Sequence, residues 1–256
     1  MLNMFTAANL STAYGDNLIL RNLSFSLHPQ CLYSLIGPNG SGKTTLLRTL
    51  AHLNKYSGSL LLNGQEITTI PRKIFARSVS FTMSAQNFHP HYPYTVQEIL
   101  QLHLQLQNIH ANHDTILHYA NTLGITNILF RSILTLSDGQ RQLALIAASL
   151  AQDTPIMLLD EPASSLDPDK SALVFSLLKS LAEKGKCIIA SSHDINTAAA
   201  FADECLLLKN GVLLSQCRKL DAALLQKLYG VEFSPYYDTK GTDQVWHVPP
   251  KHFCSS

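Results

Sequence analysis

The stretch Gly37-Pro-Asn-Gly-Ser-Gly-Lys-Thr-Thr45 constrains the fold more than any other part of this 256-residue chain. It fits GxxxxGK[ST], whose glycines let backbone N–H groups close around phosphates while the following helix adds positive potential. Such a loop belongs between a strand and a helix, and both are legible. Cys31 to Ile36 is a short apolar segment of strand character, and Leu46, Leu47, Leu50 and Leu53 recur at helical spacing. Gly37, Pro38, Asn39, Gly40, Ser41, Gly42, Lys43, Thr44 and Thr45 are therefore candidate phosphate-binding residues. Lys43 is expected to reach the β and γ phosphates, and Thr44 to hold Mg²⁺ through a hydroxyl, the hard oxygen ligand that ion prefers. Binding of ATP or GTP follows.

Ile156-Met-Leu-Leu-Asp160-Glu161 is four apolar residues ending in two carboxylates. A central parallel strand delivers acids in this way to its C-terminal edge, where α/β proteins bind ligands. Successive side chains on an extended segment face opposite ways, which predicts separate tasks for the two acids. Asp160 is expected to complete the Mg²⁺ shell and Glu161 to act as general base toward a hydrolytic water. Adjacent acids at a strand end are ordinarily just solvated; beside a phosphate loop the odds reverse.

Around these motifs, short strands alternate with helices. Leu18–Leu27, Val79–Met83, Cys187–Ala190 and Cys205–Leu208 read as strands, and Ser171–Lys184 and Asn196–Asp203 as helices. Ser57-Gly58 and Asn63-Gly64 flank Ser59–Leu62, which predicts a small antiparallel layer. From Phe88 to Ala151 strand signals fade. Thr95-Val-Gln-Glu98 has the form of a capping box, so QLHLQLQ is read as helix despite its period-two pattern, Leu and Gln being good helix formers. A second helix is expected over His113–Leu123, ended by Gly124, and a third over Arg141–Ala151. The fold class predicted is α/β: a P-loop NTPase core with a mostly parallel sheet, an N-terminal antiparallel β layer and an α-helical insertion.

Composition narrows the partners. With 19 Lys and Arg against 18 Asp and Glu, the net charge of +1 argues against a protein whose main task is to hold nucleic acid. Five dispersed cysteines without a CxxC pair read as reduced cytosolic thiols. No apolar run approaches the roughly 18 residues needed to cross a bilayer.

A phosphate loop and an acidic strand are common to many nucleotide enzymes. Leu136-Ser-Asp-Gly-Gln140, opening a helix shortly before the acidic strand, narrows the choice. Here the chain resembles the ATP-binding subunit of an ABC transporter, whose signature is LSGGQ, and the resemblance extends over nearly the whole chain. It implies that Tyr14 stacks on adenine, that Gln86 touches Mg²⁺ and senses the nucleotide, and that Ser164-Ser-Leu-Asp167 crosses a dimer interface. It also implies that His193 contacts the γ phosphate. Ser137, Gly139 and Gln140 would receive the γ phosphate of a second copy in a head-to-tail dimer that closes on two ATP molecules.

One departure stands out: Asp138 replaces the commonest glycine, and is expected to point away from the phosphate, toward the core or the helix N-terminus. The resemblance also implies integral-membrane permease subunits docking near Asn87 to Tyr94, an extracytoplasmic substrate-binding protein acting indirectly, and a peripheral place on the cytoplasmic face of the cell (inner) membrane. It divides the chain into an ATP-binding core over 1–86 and 152–230, a helical insertion over 87–151 carrying the signature, and a tail over 231–256 that could form a hairpin.

Thr69–Thr82, LSDGQRQ and Leu224–Phe233 look most like importers of iron-siderophore, haem or cobalamin, with zinc or manganese importers as the nearest rival. A non-transport ABC ATPase acting on DNA or ribosomes is the alternative from another class; the chain lacks the basic patches those partners need. A stand-alone P-loop kinase would leave LSDGQ and His193 unexplained. His89, His91, His103, His110, His113 and His118 crowd the insertion, but with no HExxH or Cys companion they read as polar helix surface rather than metal ligands.

Overall fold

The computed structural model describes residues 4–107, 113–237 and 244–248. The chain opens with β1 (Phe5–Tyr14), β2 (Asn17–Leu27), β3 (Cys31–Ile36), α1 (Lys43–Leu50), β4 (Ser57–Leu62), β5 (Gln65–Glu66), α2 (Arg72–Ser78) and β6 (Val79–Thr82). Three helices follow: α3 (Val96–Leu106), α4 (His113–Thr122) and α5 (Asp138–Gln152). It then runs through β7 (Ile156–Leu159), α6 (Pro168–Glu183), β8 (Cys187–Ser192), α7 (Ile195–Phe201), β9 (Glu204–Lys209), β10 (Val212–Cys217) and α8 (Ala222–Tyr229). A short hairpin of β11 (Ser234–Tyr237) and β12 (Gln244–His247) ends the described chain.

Two main sheets result. One is six-stranded in the order β10-β9-β3-β8-β7-β6, parallel except for β10, and the other is an antiparallel sheet ordered β2-β1-β4-β5. This is the α/β architecture expected, with the antiparallel layer built chiefly on β1, a strand that the sequence reading had not assigned. β3, β7 and β8 are buried along their whole length, as strands covered on both faces must be. One apolar cluster lies between the two sheets, around Phe5, Leu20, Leu46 and Leu158; another joins α3, α4 and α5 to the opposite face through Leu100, Leu143 and Met157.

QLHLQLQ is helical. The Thr95 side chain accepts the Glu98 N–H at 3.2 Å and Glu98 accepts the Thr95 N–H at 2.7 Å, closing the capping box, while Val96, Ile99, Leu100 and Leu104 supply the buried face. Gly124 follows α4 with φ +65°, a left-handed turn that suits glycine. The insertion histidines are not uniformly surface. His103 Nδ1 lies 3.2 Å from Gln152 Oε1, and burial holds its pKa below the usual value, whereas His89, His91 and His118 are exposed. Among the described residues no cluster of three or more His, Cys, Asp or Glu could hold a metal; His110 lies outside them.

In the tail, β11 and β12 pair antiparallel and dock on α7: Trp246 is 6% exposed, and its backbone exchanges two bonds with the Asn196 amide, at 2.7 and 3.2 Å. Residues 249–256 and Cys254 lie outside the described chain. Cys31, Cys187, Cys205 and Cys217 are free thiols.

Candidate functional site

Four loops meet at one edge because β3, β8, β7 and β6 are consecutive neighbours and run parallel, so their C-terminal ends are aligned. β3 delivers the phosphate loop, β8 His193, β7 the two acids and β6 the segment with Gln86. The loop itself needs its glycines. Gly40 and Gly42 have φ of +75° and +104°, and a Cβ on Gly37 would lie 2.1 Å from the Leu208 carbonyl oxygen. Helix α1 starts at Gly42 without a side-chain cap or an acid in its first turn, so its N-terminal N–H groups face outward as an anion site.

Lys43 is nearly buried and donates to the carbonyls of Gly37 at 2.7 Å and Pro38 at 3.3 Å. Burial holds its pKa below the usual lysine value, against the raising effect of Glu161 and Asp160. Phosphate oxygens are stronger acceptors than these carbonyls, so an anion in the loop is bound to attract the ammonium. A cavity of about 430 Å³ lies over the loop, lined by Asn39 to Thr45, Ile19 and Glu161.

Thr44 Oγ1, in the lining of this cavity, donates to Asp160 Oδ2 at 2.8 Å, bringing a hydroxyl and a carboxylate together beside it. One carboxylate, one hydroxyl and phosphate oxygens are the kind of hard, sparse donor set Mg²⁺ accepts, so the residues present fit that ion.

Asp160 and Glu161 do diverge, but not by strand alternation as the sequence reading supposed. β7 ends at Leu159, and Glu161 takes a left-handed backbone, φ +48°, rare for a residue with a Cβ. That turn, not the pleat, separates the carboxylates. The Glu161 carboxylate lies 3.8 Å from His193 Nδ1, and His193 is 60% exposed at the mouth of a second cavity of about 380 Å³ that Glu161 also lines.

Sequence reasoning missed Ser191. It is fully buried, its hydroxyl donates to Asp160 Oδ1 at 2.8 Å, and its oxygen accepts the Glu161 N–H at 2.9 Å. Only the register of β7 against β8, Leu159 beside Ala190, brings the next residues of the two strands level.

The remaining candidates stand on the surface. Tyr14 is half exposed at the end of β1; Gln86 and Asp167 are exposed, Asp167 heading α6 without capping it through its side chain. Ser137 and Gln140 bond to one another rather than to the phosphate loop. The Ser137 hydroxyl accepts the Gln140 N–H and Gln140 Oε1 accepts the Ser137 N–H, each at 3.3 Å, a second capping box that S-x-x-Q had already spelled out. A Cβ on Gly139 would lie 2.7 Å from the Ser165 carbonyl oxygen, so glycine there lets the start of α5 touch the Ser164–Asp167 loop.

Asp138 heads α5 as expected. Its carboxylate pairs with Arg141 at 3.0 Å, and Arg141 also donates to the carbonyls of Leu136 and Ile133. Asp138→Gly removes an exposed pair worth at most about 1 kcal/mol. ATP hydrolysis in that variant is expected to stay similar or rise modestly in a steady-state phosphate-release assay; a collapse would give Asp138 a direct role.

Comparison with known proteins agrees with this geometry. A family model described as "ABC transporter" matches residues 20–164. The ferric enterobactin transport ATP-binding protein of Escherichia coli (strain K12) is 35% identical over 233 residues, covering 87% of this chain and 85% of that protein. The petrobactin import ATP-binding protein of Bacillus subtilis (strain 168) is 31% identical, covering 88% and 92%. A dimeric ATP-binding cassette, solved in a post-hydrolysis state with ADP and Pi, superposes with a TM-score of 0.77 at 26% identity, covering 85% of this chain and 100% of that one. This chain belongs to the ABC transporter family, as one of its ATP-binding, ATP-hydrolysing subunits.

Proposed function

We propose that the chain powers import of an iron chelate, a siderophore complex or haem, through membrane-embedded partner subunits, by closing and reopening a head-to-tail dimer around two ATP molecules. The observation that carries the ATPase cycle is the convergence of Lys43, Thr44, Asp160, Glu161 and His193 on one sheet edge, while the Ser137–Gln140 turn faces solvent. The cargo rests on the relatives, among which ferric enterobactin, petrobactin and hemin ATP-binding proteins cover most of the chain.

In this reading the backbone of Gly37 to Thr45 and the α1 N-terminus hold the phosphates, Lys43 turns from its carbonyls to the β and γ oxygens, and Tyr14 stacks on adenine. Thr44 and Asp160, joined by Gln86 as the resemblance implies, would hold Mg²⁺, which when bound neutralises phosphate charge. Glu161 accepts a proton as water attacks the γ phosphorus and the bond to ADP breaks, releasing ADP and Pi. His193 sits on the far side of Glu161 and holds the γ phosphate. Ser137, Gly139 and Gln140 of the second copy present a hydroxyl and N–H groups to that phosphate, and Asp167 lies at the seam. The γ phosphate is thus differential binding energy for the closed state, lost on hydrolysis.

The membrane partner fits an aromatic patch. Tyr92 and Tyr94 stand 6.0 Å apart, and backbone bonds from Ile133 to Tyr94 and from Val96 to Arg131 bring Phe130, 72% exposed, into the same neighbourhood. Large exposed aromatics grouped in this way mark an interaction surface. No helix among the described residues is long and apolar enough to cross a membrane. In this reading the chain sits peripherally on the cytoplasmic face of the inner membrane, docked on the permease through the aromatic patch. A substrate-binding protein acts only indirectly, and nucleic acid is not a partner.

The test is co-purification from membranes with the permease, followed by ATP-driven uptake of ferric siderophore or haem into vesicles holding the complex. Phe130→Glu is expected to abolish co-purification and uptake while leaving the isolated subunit's ATPase unchanged. Uptake of zinc or manganese instead would overturn the cargo, and full permease binding by the variant would move the docking surface.

A further inference from the structure

Ser191 makes two bonds that only one proton arrangement allows. A backbone N–H can only donate, so the Ser191 oxygen accepts from Glu161 at 2.9 Å, and its single proton is left for Asp160 Oδ1 at 2.8 Å. Thr44 donates to the other oxygen of the same carboxylate at 2.8 Å. Asp160 is held from both sides, and among the described residues Ser191 alone bonds to both acidic residues.

The bond to Glu161 falls where the backbone is least at ease. Glu161 is left-handed at φ +48°, a conformation costing about 1 kcal/mol or more for a side-chain-bearing residue and kept only when its surroundings over-determine it. Ser191 is fully buried and sits on β8, locked between β3 and β7 by parallel pairing, so its hydroxyl is a fixed point from which the Glu161 peptide hangs.

We infer that Ser191 is a positioning residue for hydrolysis: through its bridge it sets the direction in which the Glu161 carboxylate enters the phosphate-loop cavity, without touching nucleotide. The inference rests on the base assignment proposed above for Glu161. Losing the bridge frees the Glu161 turn, and a displacement near 1 Å at a reacting centre costs on the order of tenfold to hundredfold in rate. Nucleotide binding without Mg²⁺ stays intact, because Lys43 and the phosphate-loop backbone make no bond to Ser191, which reaches Thr44 only through Asp160.

The experiment compares Ser191→Ala, Ser191→Thr and Ser191→Val in the full chain, beside Glu161→Gln. Thr and Val have one shape and differ only in the hydroxyl, so they separate the bond from packing even where Ala perturbs the core. Expected are a kcat lower by about tenfold to hundredfold in the Ala and Val variants, with KM for ATP within about twofold and Thr restoring the rate. A fluorescent ATP analogue titrated with EDTA present, without turnover, is expected to bind all three variants with unchanged affinity.

Equal rates for Thr and Val, or a parallel loss of analogue binding, overturn the inference. If Ala and Val turn over normally while Glu161→Gln is inactive, the positioning role alone falls. If Glu161→Gln itself turns over normally, the base assignment falls and takes the positioning role with it.

Discussion

Glu161→Gln is expected to abolish steady-state ATP turnover, by about 10²–10⁴-fold, while leaving ATP binding intact and trapping a closed dimer. The substitution keeps size and hydrogen-bonding reach but removes the negative charge that accepts the proton of the attacking water. The protein around it does not depend on that charge: Glu161 is held by its backbone N–H on Ser191, not by its carboxylate, which faces His193 at 3.8 Å. The Thr44–Asp160 bond lies on the other side of the left-handed turn and stays in place. With the γ phosphate retained, the free energy favouring closure is never released. Size-exclusion chromatography with ATP and Mg²⁺ should show a dimer for the variant where the parent returns to monomer as it consumes nucleotide. Normal hydrolysis by Glu161→Gln would falsify the base assignment.

Lys43→Ala should weaken ATP binding on the order of 100-fold, since charge-assisted hydrogen bonds to phosphate contribute about 1.5–3 kcal/mol each. The folded chain already bears part of the cost of holding this cation: burial lowers the Lys43 pKa, and two loop carbonyls share its protons. Removing it leaves the Gly37 and Pro38 carbonyls to water, while glycine stays required at position 37 because a Cβ there would lie 2.1 Å from the Leu208 carbonyl oxygen. A nucleotide titration against a thermal melt separates the two effects; unchanged affinity would remove the phosphate-loop assignment.

The phosphate loop, the acidic strand end and the Thr95–Glu98 cap were legible in the sequence because each is a local pattern. Spacing along a few residues decides whether N–H groups can converge or a side chain can cap a turn, and no distant contact is needed. The same holds for Ser137 and Gln140, whose S-x-x-Q spacing is that of a capping box.

Four features stayed hidden. β1 alternates weakly and carries register shifts, so its strand character emerges only when β2 and β4 pair with it. His103 lies between Leu102 and Leu104, in a period-two pattern that does not say which face it takes, and α3 turns it toward Gln152 on α5. Phe130 lies apart from Tyr94 in sequence, and a short backbone bridge makes them neighbours.

Ser191 completes the contrast. Nothing in Cys187–Ser192 distinguishes it from Ser192 beside it, since both are small polar residues closing an apolar strand. The residues that bind phosphate and carry the acids were written into the chain, because their chemistry is a matter of residue type and short-range spacing. Which hydroxyl faces those acids depended on the register between two strands about thirty residues apart, and a shift of one residue would have turned Ser191 to the other face of the sheet. Packing of the buried strands settled that register, and with it the direction of Glu161.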